Sequence, residues 1–155
     1  MKIREAKKPE AERITRKLWL PLAREMEKVS DYNELKDDLD IESCVERKRE
    51  GIREEGEYMF IAEERELLGF ISATVKETPP VFTRGDKMKI NELYVKKEVR
   101  RKGVASKLME KVEETADKEN CSTIELEFDV GNQEAQKFYQ KEGFEKVRER
   151  MVKSP

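Results

Sequence analysis

The sequence predicts an α/β fold in which helices flank a mixed β-sheet. Strand-like and helix-like hydrophobic patterns follow one another in the order β, α, α, β, β, β, α, β, α, β, without an internal repeat or a low-complexity linker. With 155 residues, of which 36% are hydrophobic, the chain contains enough apolar material for one compact core. We therefore expect a single domain that covers residues 1–155.

The N-terminal part is predicted to contain a weak strand at Lys2–Ala6 followed by two helices. An apolar stripe from Ile14 to Val29 predicts the first helix, and Pro9 is well placed for its start. Pro21 lies inside this stripe and is expected to kink or break the helix near Leu20, because proline removes a backbone donor and clashes with the preceding turn. A second helix is predicted over Ile41–Glu55.

The middle of the chain is rich in predicted strands. Tyr58–Ala62 and Leu67–Val75 contain aromatic and β-branched residues and are separated by a short charged turn, which predicts a hairpin. A loop with two prolines then leads to a further strand at Met88–Val95.

The C-terminal part is predicted to form helix, strand, helix and strand. The helix Gly103–Lys118 carries an amphipathic stripe, and Thr123–Val130 alternates strictly between apolar and acidic residues, as a half-buried strand does. Gln133–Lys141 is the last predicted helix, and Phe144–Met151 is expected to complete the sheet.

The turn between the strand Met88–Val95 and the helix that follows is the clearest ligand-binding feature of the chain. Residues 100–106, Arg-Arg-Lys-Gly-Val-Ala-Ser, are expected to direct free backbone N–H groups outward at the positive end of a helix dipole. Gly103 and Ala105 let a ligand approach the main chain closely, and the basic residues add positive charge. The turn therefore predicts a phosphate-binding site.

Two motifs in the chain resemble those of the GNAT superfamily of N-acetyltransferases. Arg100-x-x-Gly103-x-Ala105, after Leu93-Tyr94-Val95, is similar to the family's Arg/Gln-x-x-Gly-x-Gly/Ala signature. Asn132-x-x-Ala135-x-x-Phe138-Tyr139-x-x-x-Gly143-Phe144 resembles the last helix of the family and the turn after it. The chain departs from the pattern in having Ala105 as the second small residue, and Lys96-Lys97-Glu98 lacks the proline common in that turn.

The resemblance implies a splayed, mostly antiparallel sheet with acetyl-CoA bound in the gap between the strand of Val95 and the strand of Phe128. It implies that the pyrophosphate lies on the basic turn and that strand amides and carbonyls pair with the pantetheine arm. The cofactor contacts implied in this way are Leu93, Tyr94, Val95, Arg100, Arg101, Lys102, Gly103, Val104, Ala105, Ser106 and Asn132. Asn132 is also the commonest type of helix N-cap, so capping is an alternative role.

The resemblance makes Tyr139 the candidate general acid that protonates the departing thiolate. A phenol with a pKa of about 10 keeps its proton at neutral pH, as this role requires. The alternative is structural, because the adjacent pair Phe138-Tyr139 on a short helix is often core packing. By the same resemblance, a backbone N–H near Val95 polarises the thioester carbonyl.

Two carboxylates compete for the role of general base. Strand alternation places Glu92 on the face of Met88, Ile90 and Tyr94, where apolar neighbours would favour its protonated form. Glu127 stands five residues before Asn132, a position that carries the base in members resembling the ribosomal-protein N-terminal acetyltransferases. The alternative for Glu127 is that it belongs to a solvent-exposed polar face of its strand and has no chemical role. An ordered water could also serve as the base in place of either residue.

Composition narrows the remaining possibilities. The chain has no histidine, which removes Ser-His-Asp and Cys-His chemistry, and its two cysteines are expected to be free thiols without a metal site. A net charge of −2 from 33 basic and 35 acidic residues argues against a nucleic-acid partner. No apolar run approaches the roughly 20 residues needed to span a bilayer, so we expect a cytoplasmic protein without membrane contact, as a monomer or homodimer.

The sequence supports two functional hypotheses from different classes. The first is an acetyl-CoA-dependent N-acetyltransferase that acts on a primary amine, either a small amine such as a polyamine or a protein N-terminus or lysine. The second is a non-catalytic sensor that binds acyl-CoA with the same fold.

Overall fold

The computed structural model describes all 155 residues, Met1–Pro155, and contains one five-stranded sheet. Strands β1 (Lys2–Glu5), β2 (Glu57–Glu63), β3 (Leu67–Lys76), β4 (Lys87–Val95) and β5 (Thr123–Glu125) lie side by side in chain order. The pairs β1–β2, β2–β3 and β3–β4 are antiparallel, and β5 is parallel to β4. The prediction of a mixed, mostly antiparallel sheet flanked by helices is confirmed.

The helices cover the sheet through two separate apolar clusters. Helices α1 (Ala11–Ile14), α2 (Leu20–Val29) and α3 (Ile41–Gly51) precede β2, and α1 and α3 pack on one cluster with side chains of β2 and β3. Helix α4 (Val104–Lys118) packs on the other cluster, against which α5 (Gln133–Lys141) also places aromatic side chains. None of the helices is both long enough and apolar enough to cross a membrane.

Pro21 interrupts the long helix predicted for the N-terminal part. The turn Thr15–Trp19 before it is π-helical, and α2 begins at Leu20 with the proline in its first turn. A proline has no N–H to donate to the preceding turn, so a wider turn accommodates the missing hydrogen bond. The predicted kink thus takes the form of a π-helical segment.

A β-bulge in β4 lies near the middle of the sheet. Ala73 of β3 pairs with Ile90, whereas Ser72 pairs with Glu92, so Asn91 is an extra residue without a partner. An extra residue of this kind changes the face on which the following side chains lie.

The bulge separates Glu92 from two of the residues predicted to share its face. Met88 and Ile90 lie in the apolar cluster beneath α4. Tyr94, which follows the bulge, lies in the cluster on the opposite face, and Glu92 contacts Lys48 of α3 there. The prediction that Glu92 shares a face with Met88 and Ile90 is therefore wrong, because strict alternation does not hold across a bulge.

The sheet is shorter at its C-terminal end than the sequence predicts. Strand β5 pairs with β4 at only three positions and ends at Glu125, so the predicted strand Thr123–Val130 is wrong beyond that residue. After Glu125 the chain no longer pairs with β4, and residues 126–130 are not part of a strand.

Phe144–Met151 forms no strand, contrary to the prediction. Val147 and Met151 are 90% and 91% exposed; in this segment, the side chain of Arg150 pairs with Glu127 and the ammonium of Lys146 lies 5.9 Å from the ring centroid of Phe128. Alternating polarity permits a strand, but a strand also requires a partner edge.

Candidate active site

The open edge of β4 forms one side of a gap in the sheet. Pairing with β5 stops at Lys89, so the rest of β4 has a partner on the β3 side only. The N–H of Lys96 donates to the carbonyl of Leu68 at 2.9 Å. Because an antiparallel ladder alternates, the main-chain groups of Leu93 and Val95 point away from β3 and into the gap.

The turn before α4 presents a row of unpaired backbone donors. The N–H groups of residues 101–106 find no acceptor within the chain, and the first backbone bond into the helix is from Lys107 to Gly103 at 3.1 Å. Gly103 is the N-cap residue, and it provides no side-chain cap for the helix. Consecutive N–H groups at a helix N-terminus form an anion-binding concavity.

The backbone of this turn contains two residues with positive φ. Arg101 has φ of 65° and Gly103 has φ of 83°, and both residues are exposed together with Lys102. A Cβ at Gly103 would project into open space, with no other atom within 4 Å. A side chain at Gly103 would therefore extend into solvent, and the exposed side chains of Arg101 and Lys102 supply cationic charge beside the N–H row.

The side chain of Arg100 is engaged within the protein. Its guanidinium donates to both carboxylate oxygens of Glu25 on α2, at 3.0 and 2.9 Å, and to the carbonyl of Val95 at 2.8 Å. It also lies 5.5 Å from the ring centroid of Tyr94, whose pKa is raised mainly by burial. Arg100 thus connects α2 to the end of β4, and the charge expected at the rim of the turn comes from its neighbours.

Two further cofactor candidates, Ser106 and Asn132, make contacts that hold helix ends. The hydroxyl of Ser106 donates to Glu142 at 2.5 Å, which connects the start of α4 to the end of α5. Asn132 is the N-cap of α5, and its side-chain oxygen accepts from the N–H of Ala135 at 3.1 Å. Val104 and Ala105 present their backbone N–H groups, while the Val104 side chain is buried in the core.

Tyr139 lies in an aromatic cluster on the far side of the gap. Its ring centroid is 5.5 Å from that of Phe138, 5.8 Å from that of Phe144 and 6.3 Å from that of Phe128. Burial in this cluster raises the pKa of Tyr139 to about 12. The phenol therefore stays protonated well above neutral pH, as an acid must, and the ring also packs as the structural alternative expects.

Glu92 is held by two donors from the same side of the sheet. Its Oε1 atom accepts from the ammonium of Lys48 at 2.5 Å and from the hydroxyl of Ser72 at 3.1 Å. Its side chain is 21% exposed, and Glu92 and Lys48 both line a cleft of about 140 Å³. The carboxylate is thus half-buried in a polar environment rather than in the apolar one that the sequence suggested.

Glu127 lies on the surface beyond the end of β5. Its side chain is 67% exposed and pairs with Lys89 at 4.0 Å and with Arg150 at 3.5 Å. This is the placement expected for a solvated polar residue. The two candidate bases therefore differ in their surroundings: Glu92 is enclosed and Glu127 is open to water.

The structure adds three residues that the sequence did not indicate, Glu25, Lys48 and Glu142. Glu25 holds Arg100, Lys48 holds Glu92, and Glu142 holds Ser106. Each contact joins residues separated by at least 36 positions, so no local motif could have revealed it.

Comparison with protein families gives one match that covers most of the chain. Residues 16–144 match the model of the acetyltransferase (GNAT) family. A search of curated proteins finds no significant match.

The fold is similar to several solved structures. A tetramutant of the BH1408 protein from Bacillus halodurans has a TM-score of 0.84 at 20% identity, over 100% of this chain and 99% of that one. AAC(6')-Iy in complex with the bisubstrate analog CoA-S-monomethyl-acetylneamine has a TM-score of 0.76 at 18% identity, over 99% and 97%. A predicted acetyltransferase with acetyl-CoA from Clostridium acetobutylicum has a TM-score of 0.74 at 18% identity, over 99% and 95%.

Proposed function

Since the chain belongs to the acetyltransferase (GNAT) family, we propose that it transfers the acetyl group of acetyl-CoA to a primary amine by direct attack. The observation that carries this proposal is the row of unpaired N–H groups at residues 101–106, beside the open edge of β4. A pyrophosphate needs many donors and positive charge, and a linear amide-containing arm needs a free strand edge. Both requirements are met by adjacent parts of one strand–turn–helix unit.

The residues of the turn fit the phosphates of the cofactor. The backbone N–H groups of Gly103, Val104, Ala105 and Ser106 would hold them, with Arg101 and Lys102 at the rim. The N–H and C=O of Leu93 would pair with the amides of the pantetheine arm, and the N–H of Val95 is free to polarise a carbonyl in the gap. When bound, acetyl-CoA supplies the acetyl group as a thioester.

Tyr139 is proposed to protonate the sulfur that leaves. A pKa of about 12 ensures that the phenol carries its proton at any physiological pH. The raised pKa also means that the tyrosinate, once formed, regains a proton readily from water.

Glu92 is the better supported of the two candidate bases. It follows the bulge, in the part of β4 that has no partner on the β5 side, and it borders the cleft, whereas Glu127 is on the surface in ion pairs with Lys89 and Arg150. A base must lie within hydrogen-bond reach of the amine or of a water bound to it. Glu127 and an ordered water stay as the alternatives for this role.

A non-catalytic acyl-CoA sensor is the second candidate function. The observation in its favour is that both candidate bases are already engaged in ion pairs, Glu92 with Lys48 and Glu127 with two basic residues. A sensor needs the anion-binding turn and the strand edge but no free base.

One experiment separates these functions. Purified protein is incubated with acetyl-CoA and, in turn, polyamines, amino acids, and short peptides with a free N-terminus or lysine, while release of the CoA thiol is measured. The proposal expects amine-dependent release together with the acetylated amine in the mass spectrum. Binding of acetyl-CoA in calorimetry without release for any amine would favour the sensor, and absence of binding would contradict both functions.

A further inference from the structure

Lys48 is a half-buried primary amine held against a candidate catalytic carboxylate. Its side chain is only 15% exposed, and its ammonium lies 2.5 Å from Oε1 of Glu92. The same ammonium lies over the rings of Trp19 and Phe70, 5.6 and 5.7 Å from their centroids. A carboxylate with two aromatic rings is a binding site for a cationic amine, and here the amine comes from the chain itself.

We infer that Lys48 is an acetyl acceptor of this protein, modified at Nζ by the protein's own active site. The inference rests on the proposed function, because the acetyl group comes from bound acetyl-CoA. Lys48 has the chemical class of the proposed acceptor, and its partner is the better supported base.

The position of Glu92 in the sheet places the Lys48 amine next to the part of β4 that borders the gap. Glu92 directly precedes Leu93, whose main-chain groups point into the gap. Lys48 and Glu92 both line the small cleft, so the pair borders open space although the Lys48 side chain is mostly covered. The side chain of Glu92 thus links the Lys48 amine to the strand that has the open edge.

The chemical step is balanced without any further reactant. The Lys48 ammonium gives one proton to the Glu92 carboxylate, and the neutral Nζ attacks the thioester carbonyl carbon. The N–C bond forms as the C–S bond breaks, the nitrogen loses its second proton, and the departing thiolate takes up one proton. In sum, one ammonium and one acetyl-CoA yield one acetyl-lysine, one CoA thiol and one proton.

Acetylation of Lys48 changes the charge around Glu92. The amide is neutral, so the ion pair with Glu92 and the cation–π contacts with Trp19 and Phe70 are lost. Glu92 then keeps only the donor from Ser72 and is open to an external amine. A modified Lys48 would therefore release the base that the unmodified residue holds.

Lys89 provides a matched comparison within the chain. Its ammonium lies 4.0 Å from Glu127, the competing candidate base, and its side chain is 36% exposed. Lys89 is thus the more accessible of the two amines. If exposure alone decided reactivity, Lys89 would be acetylated faster than Lys48.

The test uses the full chain with acetyl-CoA and no added amine. Intact-mass spectrometry measures the gain of one acetyl group with time, and tandem mass spectrometry of peptides locates it. Because a positioned amine reacts as an intramolecular partner, Lys48 should be labelled at least about tenfold faster than Lys89. The fraction labelled per unit time should not change when the protein is diluted, since the reaction takes place within one molecule.

Three variants make the result specific. Lys48→Arg keeps the charge beside Glu92 and should abolish the fast label, whereas Lys89→Arg should leave it unchanged. Glu92→Gln should slow labelling at Lys48, and circular dichroism checks that each variant is folded.

The outcomes distinguish this inference from the proposed function. Uniform labelling of exposed lysines, or no label at Lys48 while an external amine is acetylated, overturns the inference and leaves the proposed function intact. Absence of acetyl-CoA binding in calorimetry overturns both. A fast label at Lys89 in place of Lys48 also overturns the inference and points to Glu127 as the base.

Discussion

Tyr139 combines a packing role and a proposed chemical role in one side chain. Its ring is shared among three aromatic neighbours, so the position of the hydroxyl is fixed by packing. The apolar cluster that fixes the ring also raises the pKa of the phenol, because burial disfavours the tyrosinate. The structural and catalytic explanations for this residue therefore do not exclude each other.

Tyr139→Phe separates these two roles. The change keeps the ring and removes only the proton donor, so turnover should fall by about 10- to 100-fold while the affinity for acetyl-CoA stays the same. Steady-state kinetics and calorimetry measure the two quantities. Tyr32→Phe, at a side chain that is 66% exposed, is the matched control and should behave as the wild type. Equal turnover of Tyr139→Phe and wild type would leave Tyr139 with a packing role only.

Glu92→Gln and Glu127→Gln test the assignment of the base. Both changes preserve shape, but only the true base should lower kcat/KM, by about 100-fold, and remove the acidic limb of the pH–rate profile. We expect this loss in Glu92→Gln and a nearly unchanged profile in Glu127→Gln, whose carboxylate is exposed to water. The reverse result would assign the role to Glu127, and an unchanged profile in the double mutant would assign it to water.

The strand–turn–helix unit from β4 to α4 is the element that the sequence describes best. Apolar strand residues, Gly103 and the amphipathic stripe of α4 are local signals, and the structure forms the unit at nearly the predicted bounds. The bulge at Asn91 inside the same strand was not predicted, because it depends on the register against β3. One extra residue was enough to change the environment assigned to Glu92.

Arg100 belongs to the family motif of the turn, but its side chain makes contacts within the protein. The motif places a basic residue at the start of the turn, but the contact of its Nη2 atom with both carboxylate oxygens of Glu25 depends on the packing of α2. The side chains of Arg100 and Glu25 are only 26% and 23% exposed, so this ion pair is better shielded from water than a surface pair. Its expected contribution is to attach α2 to the end of β4.

A double-mutant cycle with Arg100→Gln and Glu25→Gln measures this attachment. In urea denaturation the coupling energy should be about 1 kcal/mol, because the contact is a charged hydrogen bond and is half-buried. The exposed pair Arg16–Glu42, with side chains 43% and 75% exposed, is the control and should show a coupling energy near zero. A negligible coupling for Arg100–Glu25 would contradict the attachment.

The first strand is joined to the rest of the molecule by an ionic cluster. Arg4 of β1 donates to Glu10 at 2.6 Å and to Glu63 of β2 at 2.7 Å. The hydrogen bonds from Arg4 are the main reason that the pKa of Glu10 is lowered from 4.5 to about 2. A carboxylate whose pKa is lowered by folding stabilises the protein above its unfolded pKa, and this stabilisation is lost as the pH falls toward the folded pKa.

Glu10→Gln should therefore flatten the acid limb of the stability curve. Between pH of about 4.5 and about 2, the free energy of unfolding of the wild type should fall more steeply than that of the variant, since only the wild type takes up this proton on unfolding. Urea denaturation at several pH values measures both slopes. Glu12→Gln removes an exposed carboxylate from the same segment and should follow the wild type. Parallel curves for Glu10→Gln and wild type would rule out this cluster as the source of acid sensitivity.

At the level of the whole molecule, the sequence predicts the elements better than their partners. The order of the elements up to the last helix and the mixed sheet are as predicted, except that the first predicted helix is divided into α1 and α2 by a π-helical turn; local periodicity encodes this order. The last strand is absent and β5 is short, because pairing depends on which edge is available. The candidate anion-binding turn could be predicted because its signals are local, whereas the contacts of Lys48 and Glu25 could not be predicted because they are long-range.

The central claim is that the turn before α4 binds the cofactor. Calorimetric titration with acetyl-CoA tests this claim by comparing the wild type with Gly103→Glu and Gly56→Glu. Gly103 and Gly56 have φ of 83° and 75°, and neither has an atom within 4 Å of an added Cβ, so both variants carry the same strain and charge. Only Gly103→Glu places a carboxylate in front of the N–H row. Its affinity should fall by about 100-fold or more, about 2.7 kcal/mol, while Gly56→Glu binds as the wild type does. Wild-type affinity in a folded Gly103→Glu protein would contradict the account.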